Sequence, residues 1–441
     1  MTFEQAYHWV LSLSNMPRKE YMTDPRACGW YLDRLQAFLD VLGNPEKKIK
    51  HYIHVTGTSG KGSTTAYMHG ILHAAGYNVG STYSPHPSSI IERWKIGDRY
   101  MSKKEFVSIV EYLKPKLDDY VRTTKYDMIS FFELTEAIGL IFFTRHHVTH
   151  AVMEVACGGR YDSSNIIPHK DIAIITNIGL DHVGIIGNNK SEIAYEKAGI
   201  ITKKTGHAFT AEKNTRIARI IEAEAHKNNI PYTRISKPDI THVSISKTGT
   251  SFVYDNTAFK LQAYGIHQIH NAILCIEVAK KLNISLKDIT KGLLATTQPL
   301  RMEVISNKPL TILDGAHNRD KIRSTAETAA LLLSLFETKK LHLIVSFSGD
   351  KDVPGMLTQL LSLQPASISI TRNSVNPFRK IADMDLIRTY IHHALPKCKV
   401  ELFLDPKDAY EYTKRIANAH DCILVTGSIF MSGELRGHLL G

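Results

Sequence analysis

Seven consecutive residues, Gly57-Thr58-Ser59-Gly60-Lys61-Gly62-Ser63, have the types and spacing for phosphate chemistry. Glycines let backbone N–H groups close around phosphate oxygens, and a helix starting behind them adds positive potential. In such a loop Lys61 meets the β- and γ-phosphates and the Ser63 hydroxyl meets Mg²⁺. The run departs from the usual order G-x-x-x-x-G-K-S/T, because position 55 is Val and Gly62 separates Lys61 from Ser63. An ordinary glycine turn between strand and helix is the plainer alternative. Three other groups carry chemistry. Glu154 closes an apolar run, where a carboxylate is costly unless it is paired or metal-bound, and a magnesium on phosphate needs such a ligand. A strand-end salt bridge would also account for it, but Gly158-Gly159 follows at once and favours the metal. Asp181-His182 ends another run. Taken alone, His182 reads as an ordinary loop histidine, one of 22, ahead of a metal ligand or phosphate contact. Asp314-Gly315-Ala316-His317-Asn318 puts an acid where doubly wound sheets hold ribose hydroxyls and a helix start where phosphate binds, though an Asp-Gly turn with a helix N-cap explains it equally well.

The elements that must position these groups alternate. Residues 52–55 read as a strand, 63–75 as a helix, 78–83 as a strand, and 102–117 as a helix opened by the capping-box pair Ser102 and Glu105. Residues 131–143 form an apolar helix, 150–155 and 171–176 strands, and 190–201 a helix, preceded near the N-terminus by helices at 3–13 and 26–42. Such alternation predicts a parallel sheet covered on both faces. Short β-rich runs at 243–246, 251–254 and 258–263 predict an antiparallel meander at the edge of this first domain, followed by helices at 270–282 and 286–294. Strands at 310–313, 341–346, 367–371, 399–404 and 422–426 then alternate with helices in a second doubly wound domain. The expected division is 1–298 and 299–441, within normal domain sizes for a 441-residue chain.

Composition narrows the class. With 43% hydrophobic and 22% charged residues the chain is globular, and no apolar run approaches membrane-spanning length. The first residues carry no basic leader or small-residue cleavage site, so export is not expected. Five cysteines at 28, 157, 275, 398 and 422 include no C-x-x-C pair, which predicts a reducing cytoplasm and no structural zinc. The net charge of +11 suits anionic partners. The basic residues are dispersed and no nucleic-acid module is present, so ATP or a polycarboxylate substrate accounts for the charge as well.

Taken together, these residues resemble the ATP-dependent Mur-ligase superfamily and, within it, folylpolyglutamate synthase and dihydrofolate synthase. VTGTSGKGSTT, YSPH, ERWKIGDRYMS, FFELTEA, MEVACGGRYDSSN, TNIGLDHVGIIG, IAYEKAGII, HQIHNA, PLRMEV, ILDGAHN, GDKD and VTGSIFMSGELR follow in family order from residue 55 to about 436. The resemblance implies an N-terminal ATPase domain of phosphate-loop type, a C-terminal Rossmann-like domain, and a nucleotide between them. It assigns Gly57 to Thr64 to ATP, with Lys61 as the phosphate lysine. Ser63, Ser84, Glu154 and His182 surround two magnesium ions, and Lys197 is a carbamylated lysine near the metal. It further assigns Asn271, Arg301, Asp314 and His317 to the nucleotide, and Pro85, His86, Arg160 and Asp162 to the acceptor side. Lys61, Lys197 and His182 are thereby the expected catalytic set.

The implied reaction is amide formation: a folate carboxylate, or that of dihydropteroate, is phosphorylated by ATP, and L-glutamate displaces the phosphate. A cytoplasmic monomer without nucleic-acid or membrane partners is expected. The chain departs from the family pattern at Ser59, at 87–91 and at Cys157 and Tyr161, around the acceptor loop. Those departures leave open a Mur-type ligase for another carboxylate. A regulatory protein that has lost ligation and a nucleic-acid-stimulated ATPase are the alternatives from other classes.

Overall fold

The computed structural model describes residues 1–15, 28–374 and 380–440. They divide into two compact units, Met1–His86 with Ile90–Ile240 and His270–Thr296, and Pro87–Ser89 with Thr241–Ile269 and Thr297–Gly441. Both are α/β. Residues 26 and 27 of the expected second helix lie outside the described residues. Among the described residues, no helix is long and apolar enough to cross a membrane.

The first unit is built on β1 (His51–Thr56), β2 (Val79–Thr82), β3 (Trp94–Ile96), β4 (Arg99–Tyr100), β5 (His150–Glu154), β6 (Lys170–Ile175), β7 (Thr205–Thr210) and β8 (Tyr232–Arg234). They form one sheet in the order β4-β3-β2-β5-β1-β6-β7-β8. The pairs from β2 to β8 are parallel, and β3 and β4 add an antiparallel edge. Its helices are α1 (Phe3–Ser12), α2 (Cys28–Val41), α3 (Lys61–Ala74), α4 (Lys103–Thr123), α5 (Phe131–Arg145), α6 (Lys190–Ala198), α7 (Thr215–Lys227), α8 (Ile266–Lys281, from His270 on) and α9 (Leu286–Ala295). Capping boxes start α1, α4 and α5, each with a Thr or Ser side chain accepting from the N3 amide and a Gln or Glu at N3 reaching back. Two outcomes differ from the sequence reading. Helix α4, which contains Pro115 as expected, runs past the expected stop at 117 to Thr123, because Tyr120 continues the buried face of Phe106, Ile109, Val110, Leu113 and Leu117 at helical spacing. That packing outweighs the hydrogen bond that proline removes. The short strands β3, β4, β7 and β8 were not expected. β3 and β4 form a hairpin around Gly97-Asp98, with Gly97 at φ +52°.

The second unit contains a three-stranded sheet, β9 (Ile240–Ser246), β10 (Gly249–Tyr254) and β11 (Thr257–Leu261), the expected meander. Strands β10 and β11 turn on Asp255-Asn256, both at positive φ, as a two-residue hairpin requires. The meander packs with this unit rather than with residues before 240: Ile245 lies against its core, and Lys247 Nζ stands 5.3 Å from the Phe336 ring centre. A single boundary after residue 298 would have left it with the first unit. The main sheet joins β12 (Glu303–Asn307), β13 (Leu310–Leu313), β14 (Leu341–Val345), β15 (Ser367–Ile370), β16 (Lys399–Leu402) and β17 (Cys422–Thr426) in the order β12-β13-β17-β14-β15-β16. All its pairs are parallel except the edge pair β12–β13. Helices α10 (Arg319–Leu335), α11 (Val353–Leu361), α12 (Met384–Ala394), α13 (Pro406–Ile416) and α14 (Ile429–Leu440) follow the strands.

One buried ion group ties the helices of the first unit together. Arg34 of α2, 2% exposed, donates to both Glu133 oxygens (3.0 and 2.6 Å) and to Asp127 Oδ1 (2.8 Å). Glu133 simultaneously accepts from Ser130 N at the start of α5. Arg34→Leu strands the Glu133 carboxylate in the interior, and we expect a loss of about 3–5 kcal/mol. The double variant Arg34→Leu with Glu133→Leu should recover most of it, as read from denaturant unfolding of the two proteins.

Candidate active site

Strand β1 lies between β5 and β6, in register Val55↔Glu154 and Thr56↔Ile175. The loop leaving β1 is therefore flanked by Glu154 on one side and Thr176-Asn177 on the other. Neighbouring groups hold it in shape. Thr58 N donates to Asn177 O (2.9 Å) and Ser59 N to Asn177 Oδ1 (2.8 Å). Thr58 Oγ1 bonds the backbone of Gly179, and Thr176 Oγ1 donates to Ser59 O at 2.6 Å. Two glycines are required. Gly57 sits at φ +147°, where a Cβ would lie 1.8 Å from Thr176 Oγ1. Gly60 sits at φ +85°, where a Cβ would lie 2.5 Å from Asn271 Oδ1. Asn271 of α8 is thus brought against the loop. Gly60 is the N-cap of α3, so Lys61, Gly62, Ser63 and Thr64 form its first turn, with Ser63 and Thr64 buried.

Two lysines converge on one atom. Lys61 Nζ and Lys197 Nζ each donate to Gly57 O at 2.9 Å. Lys61 rises from the helix start, while Lys197 comes from the last turn of α6 and is 1% exposed. Burial lowers the Lys197 ammonium to about 8, and the Lys61 charge acts in the same direction.

Ser84 follows β2, and its N–H donates to Glu154 Oε2 at 3.2 Å, while Thr82 Oγ1 accepts from Glu154 N. Ser84-Pro85 is a cis peptide. His86 Nδ1 accepts from Arg93 Nε at 3.3 Å, and burial first, then the Arg93 charge, lowers the imidazole to about 3. His182, at φ +51°, has Nε2 3.8 Å from Asp181 Oδ2. Among the described residues, no three His, Cys, Asp or Glu side chains form a group able to hold a metal.

A cavity of about 20 Å³ opens beside Ser84 and Glu154, lined also by Arg93, Phe132, Thr135, Glu136 and Asp162. Arg93, Glu136, Glu154 and Asp162 are each 8% exposed. Asp162 accepts from Cys157 N (2.9 Å) and Ser164 N (3.0 Å), and burial raises its carboxyl. Glu136 Oε1 has no hydrogen-bond partner; burial, with Asp162 adding to it, raises this carboxyl to about 8. Burial pulls the Arg93 guanidinium down to about 10 against the charges of Glu154, Glu136 and Asp162; it donates to His86 and lies over the face of Phe131.

Not every expected residue joins this group. Arg160 turns to the helices: its Nη1 donates to Glu224 (3.1 Å), its Nη2 to Tyr195 O (3.0 Å), and it stacks 4.0 Å from the Tyr195 ring centre. In the second unit Asp314, expected at a ribose, is occupied internally. Its carboxylate accepts from Met302 N (3.1 Å), Ala316 N (3.0 Å), Thr325 Oγ1 (2.7 Å) and Thr426 Oγ1 (3.5 Å). Three of these bonds fall on Oδ1 and one on Oδ2, so Oδ2 keeps one of the two acceptor sites that a carboxylate oxygen offers. His317 Nδ1 meets Gly315 O at 2.8 Å and its Nε2 meets Lys321 Nζ at 3.0 Å, just ahead of the 17-residue helix α10. Arg301 Nη1 donates to Leu300 O (3.0 Å) and would lie 3.0 Å from a Cβ on Gly315. Asp314, Arg301 and His317 are therefore gathered at the end of β13.

Arg93, Glu136, Thr176 and Asn177 were missed as functional candidates. Glu136 had a readable signal, being with Glu133 one of two acids inside the largely apolar stretch 131–143. The roles of Thr176 and Asn177 depend on β6 lying next to β1, which no local pattern announces.

Comparison with known proteins identifies both regions of the chain. Residues 55–279 match the Mur ligase middle domain and residues 300–429 the Mur ligase glutamate ligase domain. The dihydrofolate synthase/folylpolyglutamate synthase of Bacillus subtilis is 30% identical, over 92% of this chain and 94% of that one. Mycobacterium tuberculosis folylpolyglutamate synthase, solved complexed with ADP and AMPPCP, aligns with TM-score 0.83 at 27% identity over 92% of this chain and 95% of that one. The Thermotoga maritima folylpolyglutamate synthase aligns with TM-score 0.78 at 29% identity over 93% of each chain. The chain belongs to the Mur ligase family, in its folylpolyglutamate and dihydrofolate synthase branch. It is an ATP-dependent ligase that joins an acid to an amino acid.

The lysine pair makes a stability prediction. An unfolded lysine titrates near 10.4, whereas folded Lys197 titrates at about 8. Between those values the unfolded chain binds more protons, so stability rises with pH from about 8 to 10. At neutral pH, holding the charged amine inside costs about 3 kcal/mol. Lys197→Met removes that cost, and Gly57 O keeps Lys61 as donor. In CO₂-free buffer we expect the variant to unfold at higher denaturant at pH 7, by up to about 3 kcal/mol, with the gain shrinking toward pH 10.

Proposed function

We propose that this chain adds L-glutamate to a folate, and that it also accepts dihydropteroate. The observation that carries the reading is the pair of lysines on the Gly57 carbonyl at the mouth of a glycine loop, one strand away from a buried acidic cavity. A γ-phosphate in that loop replaces the Gly57 carbonyl as the partner of Lys61, whose charge stabilises the transferring phosphoryl group. An acceptor carboxylate oxygen attacks phosphorus, ADP departs, and the acyl phosphate forms. The glutamate amine then attacks the acyl carbon and phosphate leaves. The relatives named above, dihydrofolate synthase/folylpolyglutamate synthase and folylpolyglutamate synthase, supply the acceptor class.

Ser63, Ser84 and Glu154 offer the hard oxygen donors that suit Mg²⁺, with His182 as a further candidate. With no protein cage of three acidic or imidazole groups among the described residues, an ion here would rely on phosphate oxygens and water, as Mg²⁺ commonly does. When bound it supplies charge neutralisation at the phosphates. Lys197 is the expected carbamylated residue. Its depressed proton affinity leaves a share of neutral amine near pH 8 for CO₂ to capture. Asp162, Pro85 and His86 are assigned to the acceptor side, and Asn271, Arg301, Asp314 and His317 to the nucleotide. The same reading sets the enzyme in the cytoplasm, where the four described cysteines, all unbridged, stay reduced.

ADP release is to be measured with tetrahydrofolate, dihydrofolate and dihydropteroate, each with and without glutamate. Turnover should require an acceptor together with glutamate, and Lys61→Ala should lower it by about 10²–10³ without loss of folded protein. Release that ignores both substrates, or near-normal turnover by that variant, overturns the reading.

A further inference from the structure

Helix α5 is buried along almost its whole length by apolar side chains, yet it carries Glu136 into the interior. Phe132 and Glu136, one turn apart, line the same cavity. The carboxyl has one oxygen with no partner, and a buried polar atom left that way is expensive. Arg93 stands in the same lining, where the charges of Glu154, Glu136 and Asp162 act on it, while its hydrogen bond goes to His86. The lining of this space is therefore incomplete at Glu136, and its chemistry defines what completes it.

Size gives the first limit. A cavity of about 20 Å³ exceeds the roughly 10–15 Å³ that one water needs and is far too small for a ring. It admits a single small substituent at the edge of a larger molecule. Charge gives the second limit. Three carboxyl groups, Glu136, Glu154 and Asp162, line this space against the one guanidinium of Arg93, which disfavours an anionic substituent. A carbonyl pairs only with a protonated acid and a hydroxyl offers one proton, whereas an amino group on an aromatic ring offers two, one for each of Glu136 and Asp162, without bringing a charge to bury.

We propose that Glu136 is a specificity-determining residue for the acceptor, its carboxyl receiving an amino substituent at the edge of the acceptor's heteroaromatic ring, seated in the cavity shared with Arg93 and Asp162. This rests on the reading that the acceptor is a folate, whose ring carries such an amino group.

The test compares tetrahydrofolate with its desamino analogue, in which hydrogen replaces the ring amino group, using the full chain with ATP and glutamate. The wild type should favour the amino acceptor by about 10- to 100-fold in kcat/KM, the range for a hydrogen bond to a charged or strongly polar group. Glu136→Leu should erase that preference, Glu136→Gln should keep part of it, and the KM for ATP should stay unchanged in both. The near-isosteric Gln variant keeps the test open if the Leu variant melts early. A preference that survives in both variants, or an equal loss with both acceptors, overturns the proposal and leaves the folate reading standing. A wild type that turns over neither acceptor overturns both.

Discussion

Two ammonium groups sharing the Gly57 carbonyl are the constraint around which the first unit is arranged. Placing like charges on one acceptor, with one of them buried, is unfavourable, and it holds only because the surroundings are rigid. Strand β1 supplies the carbonyl from the middle of an eight-stranded sheet. The neighbouring strand β6 runs into Thr176 and Asn177, which tie the loop from the side. Helix α6 delivers Lys197 from behind. A shift in any of these elements would separate the lysines and relieve the strain, so the sheet order is what sustains the electrostatics.

The two units use buried acids in opposite ways. Asp314 is held by four donors, from the loop before β12, the turn after β13, helix α10 and the end of β17. It works as a clasp where those elements meet. Glu136 is left incomplete, with a raised proton affinity and an oxygen facing empty space. A carboxylate held by several donors fixes structure, whereas one lacking them is poised for something that arrives from outside.

Much of this was legible in the sequence. The glycine loop between β1 and α3, the strand-end Glu154 and the α/β alternation follow from glycine placement and hydrophobic period, which are local properties. The internal occupancy of Asp314 was not, since its partners lie as far along the chain as Thr426. Arg160, singled out beside a double glycine, is committed to Glu224 and Tyr195, contacts set by how α6 and α7 pack. The strands missed, β3, β4, β7, β8 and β12, are short or polar, and pairing with a neighbour rather than their own composition makes them strands. Helix α4 ran on beyond 117 to Thr123 because Tyr120 joins the core, a tertiary contact that the local pattern does not announce.

The ends of the large sheet have a consequence of another kind. Its outermost strands are its shortest or nearly so: β4 has two residues and β8 three, against six in the central β1 and β6. An edge that brief exposes few unpaired amides for a second chain to zip onto. Taper of this sort makes a wide sheet a poor template for fibres, so the protein can be concentrated without its own backbone recruiting copies edge to edge.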